Sequence, residues 1–248
     1  MKRKITSLFA FSLFSTLLLA GGNPRNNNFD GNGEEITHVK DAKARPNLVL
    51  QHNFRQQESW KTFTQKNGNW YSIFNETNGK PSRAFGSPIA VSGSTPEQKA
   101  LNFANTHLKE FNIPVSDLVF QGDYKTSKHT FINFYQTYKG LKVLESEYTV
   151  RLAIDKVIMF GANVYNDIAI STLPLIPSNN IANYAKKGLS GTIQSAIVES
   201  QMLILPIKEF KTKNKYVLVY EVNVETLSDN NIPSKFYTLV DANTGEIL

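Results

Sequence analysis

Thr95-Pro96-Glu97-Gln98-Lys99-Ala100-Leu101-Asn102-Phe103-Ala104-Asn105-Thr106-His107-Leu108-Lys109-Glu110-Phe111 reads as a helix with its start written into it. Thr95 is an N-cap, Pro96 suits the first helical position, and Gln98 completes a capping box with Thr95. Ala100, Leu101, Ala104, Leu108 and Phe111 then fall on one stripe at helical spacing, and Pro114 ends the run. A stripe of that kind needs a sheet to cover it, and strands follow at once. Leu118-Val119-Phe120 is a short one. Thr130 to Tyr138 alternates, placing Ile132, Phe134, Gln136 and Tyr138 on one face. Lys139-Gly140 is a tight-turn signal, Leu141 to Ile154 returns, and after Asp155-Lys156 a further strand runs from Val157 to Tyr165. One capped helix followed by an antiparallel meander is an α+β plan.

The plan then repeats. Ser178 caps a weaker helix carrying Ile181, Tyr184, Ala185 and Leu189. Strands are expected over 202–210, 216–224 and 236–240, and the chain closes on a turn, Asp241-Ala242-Asn243-Thr244-Gly245-Glu246, in which Gly245 takes positive φ. The expected fold is therefore two helix-on-antiparallel-sheet units in tandem, over residues 92–170 and 171–248. Residues 48–91 read as a strand-rich segment around Trp70-Tyr71-Ser72-Ile73-Phe74, with turn chemistry from Asn75 to Pro81. Residues 23–47, rich in Gly and Asn, read as a flexible leader.

Lys2, Arg3 and Lys4 precede an apolar run from Ile5 to Ala20, closed by Ala20-Gly21-Gly22. This is the pattern of a cleaved export signal over residues 1–22, and the run is short against the roughly 20 residues needed to span a bilayer. The 248 residues carry a net charge of +6. Three of those six charges sit at positions 2, 3 and 4, leaving +3 for the remainder. The basic balance therefore gives no footprint for nucleic acid, which needs a clustered basic face; doublets such as Lys186-Lys187 read as solvated surface. The expected location is secreted or periplasmic, with membrane contact only during export.

Chemistry is hard to find in the residues. The sequence holds no cysteine and four histidines, which removes disulfides, thiolate metal sites and cysteine nucleophiles. His107 and Glu110 stand i, i+3 on the capped helix without a third ligand, and His38, His52 and His129 are scattered. Neither a Ser-centred nucleophile elbow nor a phosphate-binding Gly-rich loop occurs. Glu145 and Glu147, two apart on one expected strand, face the same way and read as the wet side of a sheet, not as a carboxylate pair across a cleft. No catalytic residue and no metal ligand is assigned.

Phe131-Ile132-Asn133-Phe134-Tyr135-Gln136-Thr137-Tyr138-Lys139-Gly140-Leu141-Lys142-Val143 resembles the fungalysin/thermolysin propeptide (FTP) motif. That motif is a hydrophobic strand followed by Gln-x-Tyr-x-Gly, a hydrophobic residue and Val, met here by Gln136, Tyr138, Gly140, Leu141 and Val143. Tyr216 to Val222, with the closing run from Tyr237 to Leu248, resembles a PepSY domain, whose C-terminal signature falls on Asp241, Thr244 and Gly245. Trp70 to Ser87 is similar to the segment that precedes these modules in exported metallopeptidase precursors. The resemblance covers roughly residues 60–248.

The resemblance implies cystatin-like units and a function. The region would chaperone and inhibit a thermolysin- or fungalysin-like secreted zinc metallopeptidase, acting in cis or in trans. The motif residues would form a structural or inhibitory surface. Zinc is expected only in that catalytic domain, because no His-Glu-x-x-His helix occurs in these residues; this chain itself needs no cofactor. A tether raises the effective concentration to the order of millimolar, so modest contacts suffice, and backbone pairing through the C-terminal strand would supply affinity. Without cysteine the block is steric, or uses a carboxylate or histidine on the metal. The chain reads either as the pro-region of a longer precursor or as a stand-alone exported PepSY-type inhibitor or binding module.

Overall fold

The computed structural model describes residues 45–208 and 214–248. The signal peptide read over residues 1–22 lies outside them, as do the leader up to residue 44, His38 and Phe210.

Before any strand the chain forms two helices, α1 (Leu48–Arg55) and α2 (Glu58–Asn67). The segment over residues 48–91 expected to be strand-rich is therefore partly helical, its strands confined to residues 70–90. Asn47 caps α1, its side-chain oxygen accepting from the amides of Val49 and Leu50. Each helix buries only two side chains, Gln51 and Phe54 on α1, and Trp60 and Phe63 on α2. Two buried positions per helix leave no long periodic run to read, which is why both escape the sequence.

Strands β1 (Trp70–Phe74) and β2 (Pro81–Ala90) follow, then α3 (Pro96–His107). The α3 start is as expected in part: the Thr95 hydroxyl accepts from the Gln98 amide. The reciprocal bond differs, because the Gln98 side chain accepts from the Ser94 amide and hydroxyl, not from Thr95. After α3 come β3 (Leu118–Lys125), β4 (Thr130–Tyr138), β5 (Leu141–Val143), β6 (Glu147–Ala153) and β7 (Lys156–Asn163). The expected strand from Leu141 to Ile154 is thus two strands. Glu145, at φ +59°, sits in the break between them, so Glu145 and Glu147 are not strand neighbours on one face.

Past β7 the chain forms α4 (Ser178–Ala185), β8 (Thr192–Val198), β9 (Leu203–Lys208), β10 (Asn214–Leu227) and β11 (Pro233–Asp241). Ser178 is the first helical residue of α4, not its cap; Pro177 holds the cap position without a side-chain bond. Strand β8 is an addition to the sequence reading.

The fold is α+β, with one large sheet and few helices. Its strand order is β1-β2-β7-β6-β4-β5-β9-β10-β11, with β3 also on β4 and β8 also on β10. Every pairing is antiparallel except β5 with β9, where Lys142 and Val143 run parallel to Leu203 and Ile204. That short ladder joins the two halves of the large sheet, a first sheet of β1–β7 and a second of β8–β11. One face of the first sheet is covered by α1, α2 and α3 through an aromatic core of Trp60, Phe63, Trp70, Phe103, Phe111 and Phe160. Rings meeting edge-on at 5.4–6.0 Å gain beyond their buried area. The second sheet packs α4 through Ile181 and Ala185 onto Leu218, Tyr220, Val222 and Val224.

Candidate functional site

Three of the residues singled out by the first motif, Gln136, Tyr138 and Val143, lie at the joint between the two sheets. Gln136 is fully buried on β4. Its amide nitrogen donates to the Tyr165 carbonyl at 2.6 Å, and its amide oxygen accepts from the Tyr165 N–H at 2.8 Å. The side chain therefore stands in for a strand, satisfying both backbone groups of a residue that leaves the sheet after β7. Val143 is fully buried nearby, in a cluster with Tyr165, Ile168, Ile204 and Tyr216 on which Tyr138 also packs. Gln136, Tyr138 and Tyr165 line a cavity of about 390 Å³. Gly140 stands apart at the tip of the β4–β5 turn. Its φ is +83° with open space around it, so the backbone alone demands glycine there.

A second cleft of about 460 Å³ shares Tyr165, Asn166 and Asn112 with the first and is lined also by the β1–β2 turn, Asp167 and Asn214. Lys80 donates to the Asn166 side chain, whose amide nitrogen donates to the Asn112 carbonyl at 2.5 Å. Burial holds the Lys80 ammonium down to about 8, against an opposing pull from the Asp167 carboxylate. Tyr216 donates its hydroxyl to Asp167 at 2.5 Å. Burial pushes the Tyr165 hydroxyl up to about 12, with Glu145 and Asp167 adding to it. Sequence reading missed the pairing of Lys80 with Asp167 because they are 87 positions apart, and Lys80 was read only as part of a turn. The arrangement ties the β1–β2 turn to the segment leaving β7; its polar groups are occupied with one another.

The second motif builds the closing turn. The Asp241 carboxylate accepts from the amides of Asn243 and Thr244 at 2.7 and 3.1 Å, and the Thr244 hydroxyl accepts from the Glu246 amide. Gly245 has φ +75°, and a methyl group placed on it would stand 2.3 Å from the Tyr184 ring on α4. Asp241, Thr244 and Gly245 thus fix the turn against α4. Ile247 and Leu248 then fold back, Ile247 bridging to Val240 and Leu248 donating to the Leu239 carbonyl. The β11 edge at Leu239 and Val240 is thus occupied by the chain itself.

Among the described residues, no three His, Asp or Glu side chains converge as a metal group would require. His107 accepts or donates at Asn67 and stacks on Phe103 at 5.5 Å. Burial, reinforced by Lys66, lowers its pKa against a weaker opposing pull from Glu110.

No curated protein matches this sequence. Among solved structures, the chain is similar to the YpeB C-terminal domain of Bacillus megaterium, at 14% identity over 81% of this chain and 95% of that one, with a TM-score of 0.31. It is also similar to an uncharacterized protein from Eubacterium rectale, at 12% identity over 81% of this chain and 80% of that one, with a TM-score of 0.38. Residues 176–248, from the approach to α4 through the closing turn, match PepSY, the peptidase propeptide and YPEB domain.

Proposed function

We propose that this chain is an exported, non-catalytic pro-region that assists folding of a thermolysin- or fungalysin-like zinc metallopeptidase and holds it inactive. The observation that carries the reading is the parallel ladder between β5 and β9. It joins the strand that ends the propeptide-like motif, at Val143, to the sheet of residues 176–248, which match a peptidase propeptide and YPEB domain. The two stretches that the resemblance names in order thereby lie in one continuous sheet. The motif side chains of Gln136, Asp241 and Thr244 support the same role, because each is hydrogen-bonded to backbone and holds the shape of the fold. In this reading zinc resides in the partner's catalytic domain, and this chain contributes shape and contact.

The reading is tested by refolding a denatured thermolysin-type catalytic domain with and without the purified chain. Recovery of more active peptidase when the chain is present, measured after its removal, is the expected result. Equal recovery in both arms contradicts it.

A further inference from the structure

The face of the first sheet opposite its helices carries an ordered row. Following the ladder partners across six strands gives Tyr71, Phe85, Met159, Arg151, Phe131 and Tyr124 side by side. At about 4.8 Å per strand the row spans roughly 24 Å. Tyr71, Phe85 and Tyr124 are 47, 48 and 68% exposed. The rings are in mutual contact, Tyr71 with Phe85 at 5.5 Å and Tyr124 with Phe131 at 6.3 Å. Cations lie over them: Arg55 is 5.2 Å from the Tyr71 ring centre and Arg151 is 4.4 Å from that of Phe131.

At the Tyr71–Phe85 end the row runs into a groove of about 820 Å³ between the helices and β1–β2. Arg55 and Lys61 are its charged lining residues, and no Asp or Glu lines it. Beneath this surface the Arg151 Nε and the Trp70 Nε1 are buried and have no acceptor among the described residues.

We infer that this face docks an acidic polypeptide segment carrying apolar or aromatic side chains. The occupant's carboxylates would meet Arg55, Lys61 and Arg151, and its apolar groups would lie on the exposed rings. Cations held over aromatic faces, with no carboxylate in the groove, favour an anionic partner. Exposed aromatics with Arg are also the composition that carries protein interfaces. The inference deepens the reading of the chain as a module that binds another protein, and rests on it.

The test uses the full chain and a fluorescent Glu–Tyr copolymer as probe, read by anisotropy. Saturable binding is expected, at least tenfold tighter than to a Lys–Tyr copolymer and weakened by salt. Arg151→Ala, and the pair Tyr71→Ser with Phe85→Ser, should each weaken binding at least tenfold, while Tyr237→Ser on the second sheet leaves it unchanged. Lys61→Glu, an exposed change on α2, reports on the groove should the others lower the melting temperature. No binding, or row and groove variants that bind as the wild type does, would overturn the assignment. So would heparin bound more tightly than the copolymer and lost with the same substitutions, which would mark the face for a polyanionic sugar. No peptidase takes part, so failure here is distinct from failure of the refolding experiment.

Discussion

Gln136 grips the backbone of Tyr165 from both sides, donating to its carbonyl at 2.6 Å and accepting from its N–H at 2.8 Å. The device occurs twice. Gln51 on α1 donates to the Phe74 carbonyl at 2.9 Å and accepts from the Phe74 N–H at 2.8 Å. In both places a buried glutamine satisfies backbone groups that no neighbouring strand pairs, Tyr165 lying beyond the end of β7 and Phe74 at the end of the edge strand β1, as buried backbone groups require.

Gln136→Leu keeps the volume and removes both bonds, stranding a buried N–H and a buried C=O. Each such group costs about 1–3 kcal/mol, so the substitution should destabilise the chain by about 2–6 kcal/mol, and Gln51→Leu by a similar amount. Urea unfolding measures both; a change within about 0.5 kcal/mol, as for an ordinary surface position, would contradict the bracket.

Gly245→Ala meets two obstacles, a left-handed backbone at φ +75° and the Tyr184 ring 2.3 Å from the new methyl group. The backbone alone accounts for about 1–2 kcal/mol, and the overlap adds to it, giving an expected loss of about 2–4 kcal/mol. Adding Tyr184→Ala should recover the steric part only, so the two substitutions will be non-additive in a double-mutant cycle.

Lys80 imposes a pH dependence with a definite sign. Its folded pKa of about 8 lies below the ordinary 10.5, so between these values the unfolded chain binds more protons. Stability therefore rises with pH over that window, by an amount on the order of 3 kcal/mol at most. Tyr165, raised to about 12 from 10, acts oppositely: its contribution is intact below pH 10 and lost between 10 and 12. Thermal melts should climb from pH 8 to 10 and fall beyond it. Lys80→Met should remove the climb and keep the fall.

The joint between the sheets should be felt by both. Ile204 is fully buried there beside Val143 and Tyr216, and Ile204→Ala should cost about 2–5 kcal/mol. Hydrogen exchange should speed up in β4 and β10 alike, because β5 and β9 transmit the loss to each. Faster exchange confined to β10 would show that the ladder carries no coupling.

What the sequence made legible was local. The α3 cap is four consecutive residues, and the β4–β5 turn is two, Lys139 and Gly140 at φ +49° and +83°; signals this short need no tertiary knowledge. Alternation along β4 placed Ile132, Phe134 and Gln136 correctly on the buried face. Helices α1 and α2 stayed hidden because the break at Gln56 and Gln57 divides their apolar positions into pairs. The β5–β9 ladder has no local signature at all, since its partners are about sixty residues apart. Gln136 was picked from its motif, but its grip on Tyr165 depends on where the chain goes 29 residues later.

The central claim, that this chain restrains a zinc metallopeptidase and is not one itself, is tested most directly by titrating the purified chain into a thermolysin-type peptidase. Hydrolysis of a fluorogenic peptide is followed throughout. The account predicts a dose-dependent fall in rate, no turnover by the chain alone, and recovery of activity as the peptidase degrades it. An unchanged peptidase rate at saturating chain, or zinc-dependent hydrolysis by the chain alone, would contradict it.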